Sequence, residues 1–207
     1  MFTLTLASLK GGTGKTTLAA HLAVEASAHG ERVVVIDTDE QGSLAEWFNV
    51  READEPVYAA ATLDTLDSVR QTLKDGGYTF AIIDTPGTDK TALRAALRAS
   101  DAALVPVRPS PNDIRAIGHT LAEIEAAALP FALVLSQRIA RTKIAEQALL
   151  ALSGSGPLAS TIIGTRTIYA AAMIDGRAAQ EVEPKGEAAK EIAELWRYVK
   201  TIPERKA

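Results

Sequence analysis

Short, continuously apolar runs alternate with segments of helical character along the chain. The strand-like runs are residues 3–8, 32–36, 80–83, 102–107 and 131–135, and helices are predicted near 16–29, 43–49, 64–75, 89–99, 113–128, 141–152 and 186–200. Strands that are apolar at every position are typical of parallel sheets covered on both faces. The alternation therefore predicts an α/β fold, with a single doubly wound, mainly parallel sheet flanked by helices on both faces.

Composition narrows the class of protein. The chain has 207 residues, of which 47% are apolar, and it is expected to form one domain over residues 1–207. It has no cysteine, which excludes disulfides and thiolate metal sites. No apolar run approaches the roughly 18 residues of a membrane span, and no signal peptide is expected before the first strand. The net charge is −5 over residues 1–100 and +1 over residues 101–207, which leaves room for a local basic patch in the second half.

Residues 10–17, Lys-Gly-Gly-Thr-Gly-Lys-Thr-Thr, are predicted to form a phosphate loop between a strand and a helix. The usual spacing G-x-x-x-x-G-K-[ST] requires glycine at position 9, where Leu9 stands, and a second lysine, Lys10, follows it. We expect Lys15 to reach the β- and γ-phosphates and Thr16 to ligate Mg²⁺. The predicted nucleotide-binding residues of the loop are Gly11, Gly12, Thr13, Gly14, Lys15, Thr16 and Thr17. The alternative is a glycine-rich turn that binds nothing.

Carboxylates follow two of the predicted strands. Asp37 and Asp39 come after the second strand, and in an extended chain side chains two apart point the same way. Two like charges so close call for a cation between them. We assign Asp37 to the water shell of Mg²⁺ and Asp39 to orienting or deprotonating the attacking water. Asp84 ends the third apolar run in the Walker B pattern and is also assigned to Mg²⁺. The alternative is that these aspartates only cap the helices that follow.

Four segments of the chain carry a family resemblance. KGGTGKTT, VVVIDTDEQGSL, FAIIDTPG and VPVRPSPNDI closely resemble the motifs of ParA/MinD-type deviant Walker ATPases, and among these the small plasmid-partition ParA proteins of the ParF kind. The resemblance covers essentially the whole chain. It implies a P-loop ATPase domain without an N-terminal helix-turn-helix extension, ATP and Mg²⁺ as cofactors, and a homodimer with ATP between its subunits. It also implies that Lys10 crosses to the partner's phosphates and that Lys10, Lys15 and Asp39 are the catalytic residues.

The same resemblance implies a cellular role. Such a protein is a DNA segregation ATPase of plasmid or chromosome partition, whose ATP-bound dimer binds DNA without sequence specificity. A centromere-binding protein, ParB-like or ParG-like, stimulates hydrolysis and releases it. We expect a cytoplasmic protein associated with the nucleoid and no membrane partner. The alternatives are a positioning ATPase for another cargo (a compartment, a chemoreceptor cluster or a septum site), a metabolic enzyme with the same loop, or an ATP-dependent polymer.

Two positions depart from the family pattern. Glu40 stands where the family often has proline, which puts an extra negative charge near the water-activating group and leaves the hydrolysis rate open. The family commonly ends the strand near Leu135 with an asparagine that reads adenine, but this chain continues with Ser136 and Gln137. We therefore assign the adenine contact to Gln137 or to the loop of residues 106–111, in which Pro109 is the candidate.

Basic residues of the second half are the weaker candidates. The possible contacts to DNA phosphates are Arg166, Arg177, Lys185, Lys190, Arg197 and Lys200, and the alternative for each is an ordinary solvated helix face. Arg166 is favoured because it follows the strand-like residues 160–164 and opens a helix. The amphipathic stretch 188–200 is expected to close the domain against the sheet, the alternative being a membrane-targeting helix.

Overall fold

A computed structural model describes residues 1–39, 41–140 and 142–202, and its centre is one sheet. The strands are β1 (Phe2–Leu6), β2 (Val33–Asp37), β3 (Val57–Ala60), β4 (Phe80–Asp84), β5 (Ala102–Val107) and β6 (Phe131–Leu135). They lie in the order β3-β2-β4-β1-β5-β6, and every neighbouring pair is parallel. The predicted α/β class is confirmed, and the sheet is wholly rather than mainly parallel.

Helices cover both faces of this sheet. They are α1 (Lys15–Ala28), α2 (Ser43–Asn49), α3 (Leu66–Asp75), α4 (Lys90–Arg98), α5 (Pro111–Ala126), α6 (Lys143–Ser153), α7 (Thr167–Met173), α8 (Ala179–Val182) and α9 (Glu187–Val199). Residues of α1, α2, α7, α8 and α9 share one apolar core, while residues of α3, α4, α5 and α6 belong to two clusters on the opposite face. The doubly wound arrangement is therefore confirmed.

The apolar runs are explained by the pleat of the strands. In β2, Val33 and Val35 belong to the core under α1, while Val34 and Ile36 belong to a cluster on the other face. Successive side chains of a strand point to opposite faces, so a strand covered twice needs apolar residues at every position. This is why the runs show no polar alternation.

Helix α9 closes one face of the sheet, as predicted. The Trp196 side chain is 1% exposed, and its ring meets Phe80 of β4 edge to face with the centroids 5.0 Å apart. Ile192, Leu195 and Val199 are fully buried in the same core. Within the described ranges, no helix is both long and apolar enough to cross a membrane.

The structure corrects the predicted elements at three places. Strand β3 was missed, because it has only four residues, lies at the sheet edge and is partly exposed. The strand-like residues 160–164 do not form a strand; an isolated bridge joins Gly164 to Arg138. Helices α7 and α8 were not delimited, although Arg166 does stand at the N-cap of α7 as predicted.

Candidate nucleotide-binding site

The phosphate loop, residues 10–17, leaves the carboxyl end of β1, which lies between β4 and β5 in the sheet. From β1 the chain crosses to β2 on one side and later to β5 on the other, so the loop stands at the point where a doubly wound sheet binds its ligand. Gly12 and Gly14 have φ angles of +74° and +93°. Side chains are disfavoured there, and the backbone N–H groups and the N-terminus of α1 are left to bind an anion.

Two residues that follow β6 donate hydrogen bonds to backbone carbonyls of the phosphate loop. The Ser136 hydroxyl donates to the carbonyl of Thr13 over 2.9 Å, and the Gln137 side-chain amide donates to the carbonyl of Gly12 over 2.8 Å. Sequence reasoning missed this role of Ser136, although a polar residue directly after a buried strand was the signal for it. The adenine contact assigned to Gln137 or Pro109 stays a prediction; Pro109 lies in the segment between β5 and α5.

Glycine 87, after β4, lies against the opposite side of the loop. A Cβ atom added to Gly87 would come within 2.9 Å of the Gly11 Cα atom and 3.1 Å of its backbone nitrogen. Real Cβ atoms do not approach backbone so closely. Glycine at position 87 is therefore what allows the end of β4 to touch the phosphate loop.

Lysine 15 lies inside the site. Its residue is 6% exposed, and it lines a cavity of about 420 Å³ together with Gly12, Thr16 and Asp39. Burial lowers the pKa of the Lys15 ammonium, against the opposing attraction of Asp84 and Asp39. A buried ammonium beside a loop of backbone donors is suited to bind phosphate oxygens, and the phosphate contact of Lys15 stays a prediction.

Asp84 and Thr16 are in direct contact. The Thr16 hydroxyl donates to the Asp84 carboxylate over 2.6 Å, and Asp84 is 2% exposed. Burial raises the pKa of Asp84 to about 7, although the Thr16 hydrogen bond and Lys15 act in the other direction. The sheet register pairs Asp84 with Asp37 of β2, so the two predicted metal-binding carboxylates end neighbouring strands.

Asp37 and Asp39 do come together, but for a reason other than the predicted one. The chain turns after Asp37, and the Asp39 N–H donates to Asp37 Oδ1 over 2.9 Å. Asp37 Oδ2 is buried, and the carboxylate faces the N–H groups of Leu44 and Ala45 at the start of α2. Burial raises the pKa of Asp37. The shared position therefore comes from a side-chain-capped turn rather than from extended backbone.

These oxygens fit a magnesium ion. Over the described ranges, no group of three His, Cys, Asp or Glu residues is arranged to hold a metal without further ligands. Mg²⁺ is commonly held by one or two carboxylates together with waters and substrate phosphates. The Thr16 hydroxyl and the buried carboxylates of Asp37 and Asp84 match that pattern, so a nucleotide would complete the site.

Lysine 10 is placed differently from Lys15. It is exposed, and it is not among the residues that line the 420 Å³ cavity. Its backbone is fixed by Ser8, whose hydroxyl accepts from the Lys10 N–H over 3.2 Å. Of the two lysines of the loop, one therefore lies in the cavity and the other outside it.

A larger cavity of about 780 Å³ adjoins the site at the ends of β2 and β3. It is lined by Asp37, Asp39, Tyr58, Asp64 and Asp89, among others. The Asp89 carboxylate accepts from the N–H groups of Thr91 and Ala92 and so caps α4, whereas Asp84, for which the cap was the alternative, accepts from Thr16 and Thr85. Glu40, which departs from the family pattern beside Asp39, lies outside the described residues.

The candidate DNA-binding residues lie at the start of α7, after α7 and on α9. Arg166 donates to Glu191 over 2.7 Å, Arg177 donates to Asp175 over 2.6 Å, and Lys190 donates to Glu187 over 2.6 Å. Arg197 donates from Nε to the Ala193 carbonyl over 3.3 Å. Each is thus already engaged within the chain, and its contact with DNA stays a prediction.

Comparison with known proteins agrees with this geometry. Residues 4–173 match the family model described as the CobQ/CobB/MinD/ParA nucleotide binding domain. The chain is 31% identical over 199 residues to the maintenance of carboxysome distribution protein A of Halothiobacillus neapolitanus, covering 91% of each chain. It is 34% identical over 110 residues to the protein ParA of Rhizobium radiobacter, covering 52% of this chain and 49% of that one.

A solved structure shares the fold. The cell division ATPase MinD of Pyrococcus furiosus superposes with a TM-score of 0.81 at 20% identity, covering 97% of this chain and 98% of that one. At that identity the likeness speaks for the architecture alone. Together with the family match, it accounts for the position of the phosphate loop at the end of β1.

Proposed function

This chain belongs to the family of CobQ/CobB/MinD/ParA nucleotide-binding domains, and from that membership we propose that it is a positioning ATPase that works as an ATP-dependent homodimer. The observation that carries the proposal is the placement of its two loop lysines. Lys15 is buried in the phosphate cavity, whereas Lys10 is exposed outside it. A cation outside the cavity gains a role in catalysis when the nucleotide of a second copy faces it.

The side chains of the cavity take distinct parts in the proposed hydrolysis of ATP. Lys15 binds the β- and γ-phosphate oxygens, and Thr16, Asp37 and Asp84 hold Mg²⁺, which when bound neutralises charge on those oxygens. Asp39 lines the same cavity and orients or deprotonates the attacking water. Lys10 of the facing copy stabilises the charge of the transition state, so hydrolysis waits for dimerisation.

We place the ATP-bound dimer on DNA, without sequence preference and therefore associated with the nucleoid of the cytoplasm. The charge balance leaves room for this contact, because the net charge is +1 over residues 101–207 and −5 over residues 1–100. Arg166→Ala tests the favoured contact in a filter-binding assay with ATP. Arg98→Ala, which removes the same charge from an exposed position at the end of α4, is the matched control. Unchanged affinity in Arg166→Ala removes that residue from the interface.

The first candidate for the cargo is DNA, in plasmid or chromosome partition, with a centromere-binding protein as the stimulating partner. Deletion of the gene should then raise the rate of plasmid loss or of cells without a chromosome.

A protein compartment is the second candidate for the cargo. It is favoured by one observation: the carboxysome distribution relative matches over 91% of both chains, whereas the match to ParA spans about half of each. Clustered compartments after deletion, with normal DNA inheritance, would support the second cargo.

The proposal as a whole is tested by measuring the size of the protein in solution. Light scattering with ADP, ATP and a non-hydrolysable analogue should give a dimer with the triphosphates alone. Lys10→Ala should lose the dimer or its hydrolysis. A protein that stays monomeric with every nucleotide contradicts the proposal and favours a metabolic enzyme with the same loop. Scattering that keeps growing with ATP in the absence of DNA indicates a polymer instead.

A further inference from the structure

Arginine 108, which follows β5, has one edge of its guanidinium fixed by a buried carboxylate. Its Nε donates to Asp113 Oδ2 over 2.7 Å, and its Nη2 donates to Asp113 Oδ1 over 3.2 Å. Asp113 is 3% exposed and lies in the first turn of α5. A paired fork of this kind sets the plane and the direction of the guanidinium. The third nitrogen, Nη1, takes no part in the pair.

The free Nη1 lies against the phosphate loop. A Cβ atom added to Gly12 would be 3.3 Å from Arg108 Nη1, so the guanidinium touches the loop at that glycine. The carbonyl oxygen of Gly12 is already bonded to Gln137. No hydrogen bond of Nη1 is formed within the described part of the chain, so the contact does not brace the loop through this nitrogen.

Arg108 and Lys10 both lie outside the 420 Å³ cavity that contains Lys15, although Gly12 lines it. Lys10 and Asp113, the anchor of Arg108, line one narrow gap beside the loop. The Arg108 side chain is 34% exposed. Two cations of the loop region thus lie outside the cavity, and one of them, Arg108, is held by Asp113 with a donor edge unused.

We propose that Arg108 is a second cation that acts between subunits: in the ATP-bound pair, its Nη1 edge donates to phosphate oxygens of the nucleotide that the other copy holds, beside Lys10. This inference rests on the proposed homodimer. The ion pair with Asp113 uses only the Nε and Nη2 edge of the guanidinium, so Nη1 stays available for a phosphate. The fixed fork means that little side-chain freedom is lost when Nη1 meets a phosphate.

Mixing two inactive variants tests the inference. Arg108→Ala should lower the rate of ATP hydrolysis about a hundredfold, as removal of one transition-state donor does elsewhere. Asp39→Ala should be inactive because its own cavity lacks the water-orienting carboxylate. In a mixed dimer, the Arg108→Ala copy keeps its Asp39 and receives Arg108 from its partner. An equal mixture should therefore recover about a quarter of the wild-type rate, since half of the random pairs carry one complete site of two.

Three further measurements separate this role from a structural one. Arg108→Ala should bind a fluorescent ADP analogue with the wild-type affinity. A single copy binds ADP in its own cavity and receives no Arg108 from a partner. Arg108→Lys should recover part of the rate, because it keeps the charge and loses the fork. Arg98→Ala should hydrolyse ATP at the wild-type rate. No recovery in the mixture, or a loss of ADP affinity in Arg108→Ala, overturns the inference while the proposed function stands. A wild type that never dimerises overturns both.

Discussion

The Thr16 hydroxyl and the Asp84 carboxylate are joined by a hydrogen bond of 2.6 Å, which ties the start of α1 to the end of β4. This bond satisfies a carboxylate that is 2% exposed and whose pKa burial raises to about 7. Without a nucleotide, the protein therefore maintains a buried acid that Thr16 only partly compensates. The buried Asp84 carboxyl group favours the binding of a cation, and it lowers the stability of the nucleotide-free protein.

Asp84→Asn should separate stability from function. The amide removes a buried charge, so the nucleotide-free variant should be more stable than the wild type by about 1 kcal/mol in urea unfolding. The variant should also lose most of the Mg²⁺-dependent rise in melting temperature that ATP gives the wild type. Thr16→Ser, which keeps the hydroxyl, should retain that rise. A full Mg²⁺-dependent rise in Asp84→Asn would contradict the assignment of Asp84.

Gly87→Ala should weaken nucleotide binding with a small effect on folding. Its Cβ would come within 2.9 Å of the Gly11 Cα atom, so the loop or the end of β4 must move. We expect at least about tenfold weaker binding of a fluorescent ATP analogue, equivalent to about 1.4 kcal/mol.

Gly118→Ala is the matched control for that substitution. Gly118 lies within α5, and a Cβ added there meets nothing within 4 Å. Replacing a glycine inside a helix by alanine should stabilise the protein by about 0.5–1 kcal/mol and leave nucleotide affinity unchanged. Equal affinities in the two alanine variants would show that the contact between Gly87 and Gly11 does not shape the loop.

His21 should make the protein less stable in mild acid. It is fully buried in α1, its Nδ1 lies 2.7 Å from the Thr17 carbonyl, and burial lowers its pKa to about 4. Between pH 6.5 and 4 the unfolded chain binds a proton that the folded chain excludes, so stability is lost as the pH falls through this window. The loss attributable to His21 reaches about 3 kcal/mol at its acid end.

His21→Gln checks this by removing the titrating group. The variant should be less stable than the wild type at pH 7, and the difference between them should shrink towards pH 4. Urea unfolding followed by circular dichroism at several pH values measures both. A difference that does not vary with pH would mean that the folded protein accommodates the protonated imidazole.

Trp196→Ala should lower the free energy of unfolding by about 3–5 kcal/mol, because it empties a fully enclosed position between α9 and β4. Ile174→Ala, at a residue that is 80% exposed, should change it by less than about 0.5 kcal/mol.

In liposome co-sedimentation, the wild type should stay in the supernatant with ATP. Pelleting that depends on ATP would show that α9 leaves the core for the membrane.

The fold followed from the sequence because its signals are local. Residues 33–36 are apolar at every position, which indicates a strand covered on both faces, and residues 10–17 have a glycine and lysine spacing typical of a phosphate loop. The edge strand β3 gave no such signal, since its four residues are partly exposed and need not be apolar throughout.

The sequence predicted the residues that line the candidate site more readily than the residues that hold its phosphate loop in place. Asp37, Asp84 and Lys15 could be found because each follows a strand or stands in a loop motif. The role of Ser136 behind Thr13, or of Arg108 beside Gly12, depends on β5 lying next to β1 and on β6 lying next to β5. That adjacency comes from the strand order, which single-sequence patterns do not carry.

The separation along the chain between the phosphate loop and α9 has a consequence for folding during synthesis on the ribosome. The phosphate loop emerges well before α9, which packs over α1 and whose Trp196 is about 180 residues further along the chain. Until that helix emerges, the nascent chain exposes the apolar face of β4 around Phe80. Nucleotide binding should therefore mature late in translation, and chaperones that shield apolar strands have a defined target on the unfinished chain.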